Sequence, residues 1–93
     1  MIIPPTTFAR MHYVYILKSR KDQHLYIGCT GDLRKRFQEH NAGKSVSTAR
    51  RASFDLVYYE AYRAERDARI RERRLKQFKN AYSELAKRLR YSV

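Results

Sequence analysis

Four side chains in the first half of the chain are of types, and at spacings, that suit work on an anionic group: Tyr15, Tyr26, Arg36 and His40. Arg36 offers a planar fork of N–H donors that matches the oxygens of a phosphate. His40 follows it by one helical turn, so the two share a helix face. A tyrosine can take up a proton only if its pKa is drawn well below about 10, which a nearby cation could do. Whether these groups meet depends on the elements that carry them.

"HYVYILKS" (12–19) is β-branched and aromatic with apolar residues in both alternating phases, as in a strand covered on both faces. "RKDQ" reads as a turn and "HLYIGC" (24–29) as a second strand, giving a hairpin. A tight turn centred on Arg20 and Lys21 sets Tyr15 directly opposite Tyr26, on one face of the sheet. Thr30 and Asp32 are N-cap candidates for the helix that follows, and Gly43 is its stop. On that helix Leu33, Arg36, Phe37 and His40 point inward, whereas Arg34, Lys35 and Gln38 face elsewhere. Residues 42–53 form a small, basic loop and "FDLVYYEAY" (54–62) a third strand.

From about Ala64 the pattern is helical, with a core-facing stripe of Ala68, Leu75, Tyr82 and Leu89 and with Phe78 and Leu85 between them. One unbroken helix of this length would span about 40 Å. That is too long for so small a domain, so a break is expected near residues 80–83. The order is β-β-α-β-α-α: an α+β fold with a three-stranded, mainly antiparallel sheet flanked by helices. Residues 1–10, with Pro4 and Pro5, read as an N-terminal tail, and 11–93 as a single domain.

The composition narrows the partner. Twenty-one Lys and Arg against nine Asp and Glu leave a net charge of +12. Such an excess most often meets a polyanion, and eight tyrosines and four phenylalanines suit contact with sugars and bases as well as phosphates. Nucleic acid is therefore the expected partner, and composition does not choose between DNA and RNA. No apolar run approaches the roughly 20 residues a membrane helix needs. Cys29 is the only cysteine, so no internal disulfide can form, and a cytoplasmic protein is expected. His12, His24, His40 and Cys29 lack zinc-ligand spacing, and no phosphate-cradling or dinucleotide glycine pattern occurs.

"VYI" (14–16) and "YIG" (26–28), followed by "DLRKRFQEH" and later "ARIRERRLK", resemble the GIY-YIG nuclease family, and in particular its small stand-alone bacterial members. The resemblance covers residues 12 to about 79. It implies that Tyr15, Tyr26, Arg36 and His40 lie in an active site and that Glu72 is the metal-binding glutamate. It also implies a metal-dependent endonuclease that cleaves phosphodiester bonds in DNA with Mg²⁺ or Mn²⁺ and no small-molecule cofactor. Tyr13 and Val14 stand where the family name has Gly and Ile, and Cys29 where some relatives carry lysine.

The residue chemistry is consistent with that implication. Mg²⁺ keeps several waters and takes few protein ligands, so one carboxylate tethers it. The duller reading of Glu72 is a surface ion pair with Lys76, worth about 0.3–0.5 kcal/mol. Arg34, Lys35, Lys44, Thr48, Arg50 and Arg51 are candidate nucleic-acid contacts. The alternative to an enzyme is a non-catalytic nucleic-acid-binding module on the same scaffold, possibly RNA-directed.

Overall fold

The computed structural model describes residues 11–93, so the expectation of a tail at 1–10 falls outside the described residues. Strands β1 (His12–Ser19), β2 (Leu25–Thr30) and β3 (Phe54–Tyr62) form one sheet in the order β2-β1-β3. Both pairings are antiparallel. Helix α1 (Leu33–Asn41) follows β2, and helices α2 (Glu65–Gln77) and α3 (Lys79–Arg88) follow β3. The expected order and fold class are those observed.

The two-phase apolar pattern of β1 comes from its central place. Val14 and Ile16 pack against Ala68, Leu75 and Leu85 from α2 and α3. On the opposite face Tyr15 and Leu17 pack with Phe54, Leu33 and Phe37. Four consecutive residues, 14–17, are thus buried at 3% exposure or less, which leaves β1 no solvent face.

The hairpin differs from expectation. Arg20–Lys21 lacks the Gly or Asn that a two-residue hairpin turn favours. Instead the Ser19 N–H donates to the His24 carbonyl at 2.9 Å, closing a longer loop in which Gln23 takes φ 66°. The buried Ser19 hydroxyl accepts from the Lys21 and Asp22 N–H groups at 3.1 and 3.3 Å. The register therefore slips by two: Tyr15 faces Gly28, and Tyr26 faces Leu17. Because side chains alternate with period two, both tyrosines stay on one face, diagonal rather than opposite.

Asp32 caps α1 by accepting the Lys35 N–H at 3.1 Å, and Thr30 Oγ1 accepts the Asp32 N–H at 3.1 Å. Gly43, at φ 74°, ends it. Asn41 then clasps the start of β3, accepting the Phe54 N–H at 2.6 Å and donating to its carbonyl at 3.3 Å. The loop between them contains a single 3₁₀ turn, Ala49–Arg51.

The break in the C-terminal helix comes at Phe78 (φ −110°, ψ 109°), earlier than the expected 80–83. Its position follows from tertiary packing, since Leu75 and Leu85 must reach the same cluster from two directions. Phe78, expected in the core, is 57% exposed as a result.

Candidate active site

The β2 strand is an edge strand, and the layers on the two sheet faces meet around it. Gly28 makes that meeting possible. The Tyr15 ring lies directly over it, and a Cβ there would come within 2.3 Å of the Tyr15 Cζ and Oη. A strand glycine often marks such a close approach. The phenol of the buried central strand thereby reaches the sheet edge, where α2 presents Glu72. The resulting cleft, about 790 Å³, is lined by Tyr15, Tyr26, Arg36, His40, Thr48 and Glu72, with Lys76 and Lys79 also on its wall.

Inside it runs a short polar chain. Tyr15 Oη lies 2.9 Å from His40 Nε2, and His40 Nδ1 lies 2.8 Å from Thr48 Oγ1. His40 and Thr48 are 5% and 4% exposed. Burial, and then the nearby Arg36 charge, hold the His40 pKa below its ordinary value, so the imidazole is neutral at pH 7. A neutral imidazole has one donor and one acceptor nitrogen. Either tautomer is satisfied here: with the proton on Nδ1, His40 donates to Thr48 and Nε2 accepts from the Tyr15 phenol, whereas with the proton on Nε2 the phenol accepts and Nδ1 accepts from Thr48. Thr48, expected at a phosphate, instead spends its hydroxyl on this chain.

Burial pushes the Tyr15 pKa up, and Arg36 beside it only partly offsets this. The resting residue is a neutral phenol, not the depressed one a proton acceptor would need. Arg36 is itself loosely held: it donates to Glu39 at 3.4 Å and to Ser45 Oγ at 3.3 Å. Bonds at the long end of the range leave a guanidinium ready to exchange them for a better acceptor. Tyr26 stacks edge-on against Phe54, centroids 5.4 Å apart, and presents its phenol to the cleft.

The i,i+4 pair considered for Glu72 is present: Lys76 Nζ donates to Oε2 at 3.0 Å. The carboxylate nonetheless lines the cleft, 19% exposed against 50% for the lysine. Among the described residues no cluster of three or more His, Cys, Asp or Glu forms a multidentate metal cage. A single inward carboxylate with an uncommitted oxygen fits a hard divalent ion that retains most of its waters.

The other expected contacts are dispersed. Arg34 borders a separate groove with Tyr13 and Tyr59, and Lys35 and Lys44 a shallow depression by Glu39. Arg51 is paired to Asp22 close to Tyr26, and the Arg50 carbonyl accepts from Lys21 Nζ at 3.2 Å. Sequence reasoning missed Gly28, whose signal was a glycine inside a strand pattern. It also missed the Thr48 link to His40, for which a loop threonine gives no signal.

A fold of this order, with two strand tyrosines, an arginine, a histidine and a glutamate around one sheet edge, is that of a nuclease-type domain. The model of the GIY-YIG catalytic domain matches residues 11–88, a span that holds all six elements, and the chain belongs to the GIY-YIG family. It is 46% identical over 63 residues to a UPF0213 protein of Clostridium perfringens, covering 67% of each. It is 42% identical over 66 residues to a UPF0213 protein of Bacillus pumilus, covering 70% of this chain and 66% of the relative. The chain thus spans about two thirds of the length of these two relatives. The solution NMR structure of a UPF0213 protein from Bacillus halodurans shares its fold, with TM-score 0.54, 32% identity and 83% of each chain covered. Family membership supports a nuclease-like role on nucleic acid. No described helix is long and apolar enough to cross a membrane.

Proposed function

We propose that the chain is an endonuclease that hydrolyses phosphodiester bonds in DNA, with one Mg²⁺ or Mn²⁺ ion held by Glu72. The observation that supports this most is the convergence of Tyr15, Tyr26, Arg36, His40 and Glu72 on one cleft. A divalent ion there would supply Lewis-acid stabilisation of charge on the phosphoryl oxygens. Arg36 binds the scissile phosphate by its fork, exchanging Ser45 and Glu39 for phosphate oxygens. Tyr15 orients the attacking water and passes its proton to His40 Nε2, which is free to accept it when the neutral imidazole carries its own proton on Nδ1 toward Thr48. Thr48 fixes the imidazole ring from the far side. Tyr26 borders the substrate from the β2 edge. A cytoplasmic setting and acceptance of RNA in place of DNA belong to the same proposal and its alternative.

The test is a substrate screen. Purified protein is incubated with single-stranded, duplex, flapped and branched DNA and with RNA, each with Mg²⁺, Mn²⁺ or EDTA. Metal-dependent cleavage of DNA is expected. Binding without cleavage under every condition would move the assignment to a non-catalytic nucleic-acid-binding module.

A further inference from the structure

Most acids of the chain are spoken for. Glu60 is paired with Arg71, Glu65 with Arg69, and Glu72 with Lys76. Two arginines on the solvent side of α2, Arg66 and Arg73, have no carboxylate within ion-pair distance among the described residues. With Arg69 and the 42%-exposed Ile70 they line a shallow groove of about 480 Å³. Glu65 is the only acid on that lining. The groove borders the cleft along the helix: Arg69 on its lining precedes Glu72 on the cleft wall by three residues, so the two are neighbours on the α2 surface.

We infer that this groove is a track for the phosphodiester backbone flanking the cleavage site, running along the solvent side of α2 beside Glu72, from Arg73 to Arg66. The inference rests on the reading of the cleft as the place of cleavage. Its occupant is nucleic acid because two unneutralised guanidinium groups, Arg66 and Arg73, flank the ion-paired Arg69 on a surface beside the cleft, and such groups grip phosphates without reading sequence. The geometry sets its reach. Arg66 lies six residues before Glu72, a rise of about 9 Å. At about 3.4 Å per step along one strand, that is about three nucleotides beyond the scissile phosphate. Ile70, between the arginines, offers apolar contact to sugars.

Binding, read without cleavage, tests this. Fluorescence anisotropy in EDTA is measured for DNA duplexes of increasing length, with wild type, R66A/R73A and R66K/R73K. The alanine pair should bind long duplexes roughly tenfold more weakly and lower the salt slope by about 1.8. The deficit should shrink as the duplex becomes too short to leave the cleft, and the lysine pair should regain most of the affinity. An equal deficit at every length would overturn the track in favour of general electrostatics, and no deficit would overturn it outright. Loss of binding to phosphatidylglycerol vesicles, but not to DNA, would reassign the arginines to a lipid surface. If the wild type binds no DNA at any length, the nuclease reading falls too; if it binds and only R66A/R73A is silent, the track alone falls.

Discussion

A methyl group at position 28 would sit inside the Tyr15 ring, and this makes a strand glycine as consequential as any polar group in the cleft. Gly28→Ala must push the ring aside or bend β2. Overpacking of this kind costs about 1–3 kcal/mol. Misplacing a reacting group by an ångström can cost about a hundredfold in rate. Gly28→Ala should therefore cleave about a hundredfold more slowly and melt roughly 4–20 °C lower; unchanged cleavage would show that the Tyr15 position is immaterial. His40 makes a separate prediction. Its pKa is depressed in the fold, so the neutral form is favoured there. That stability is fully present above the unfolded value of about 6.5 and is lost as pH falls through the lower folded value. Thermal melting followed from pH 7.5 to about 5 should show a decline that is smaller in His40→Gln; an identical decline would place the titration elsewhere. The inward phase of Arg36 and His40 was legible because helical periodicity alone dictates it. Thr48 was not, because its partner lies across a loop whose path no local pattern specifies.

Helix α2 is locked to β3 at one point. Glu60 accepts from Arg71 Nε at 2.9 and 3.2 Å and from Arg71 Nη2 at 3.0 Å. It also accepts from the Tyr58 phenol at 2.7 Å and from the Tyr62 phenol. Burial pushes the Glu60 carboxyl up, but the guanidinium and the two phenols hold it lower than usual. Burial and the Glu60 charge push both phenols up to about 12. Arg71 is the residue before Glu72, so the clasp also sets the rotation of α2 that turns Glu72 to the cleft. Glu60→Gln keeps the shape and removes the charge. Charge-assisted hydrogen bonds contribute about 1.5–3 kcal/mol, so a loss of about 2 kcal/mol is expected in denaturant unfolding. Full stability in this variant would mean that the clasp is ornamental. Strand and helix identities were readable from period and propensity. The hairpin register and the break at Phe78 were not: one depends on the Ser19 hydroxyl, the other on where Leu75 and Leu85 must meet.

Across the molecule, the charge that first suggested a nucleic-acid partner is distributed unevenly. Arg20, Arg36, Arg51, Arg69, Arg71, Lys76 and Lys87 are each occupied by a carboxylate. Among the described residues the other lysines and arginines, Arg66 and Arg73 included, have no carboxylate partner and are free to meet phosphates. A composition gives only the total of +12; which cations stay unpaired is a property of the fold. Binding to DNA should weaken steeply with salt through counterion release, whatever the sequence of the duplex.

If Glu72 makes this cleft catalytic, wild type and Glu72→Gln will differ sharply on the same DNA under the same Mg²⁺. Gln preserves size and helix propensity while removing the charge a divalent ion needs. Cleavage should fall by orders of magnitude in the variant, while binding measured in EDTA is retained or tightens as a negative charge leaves a basic surface. Equal cleavage by the two proteins would contradict a catalytic role for Glu72.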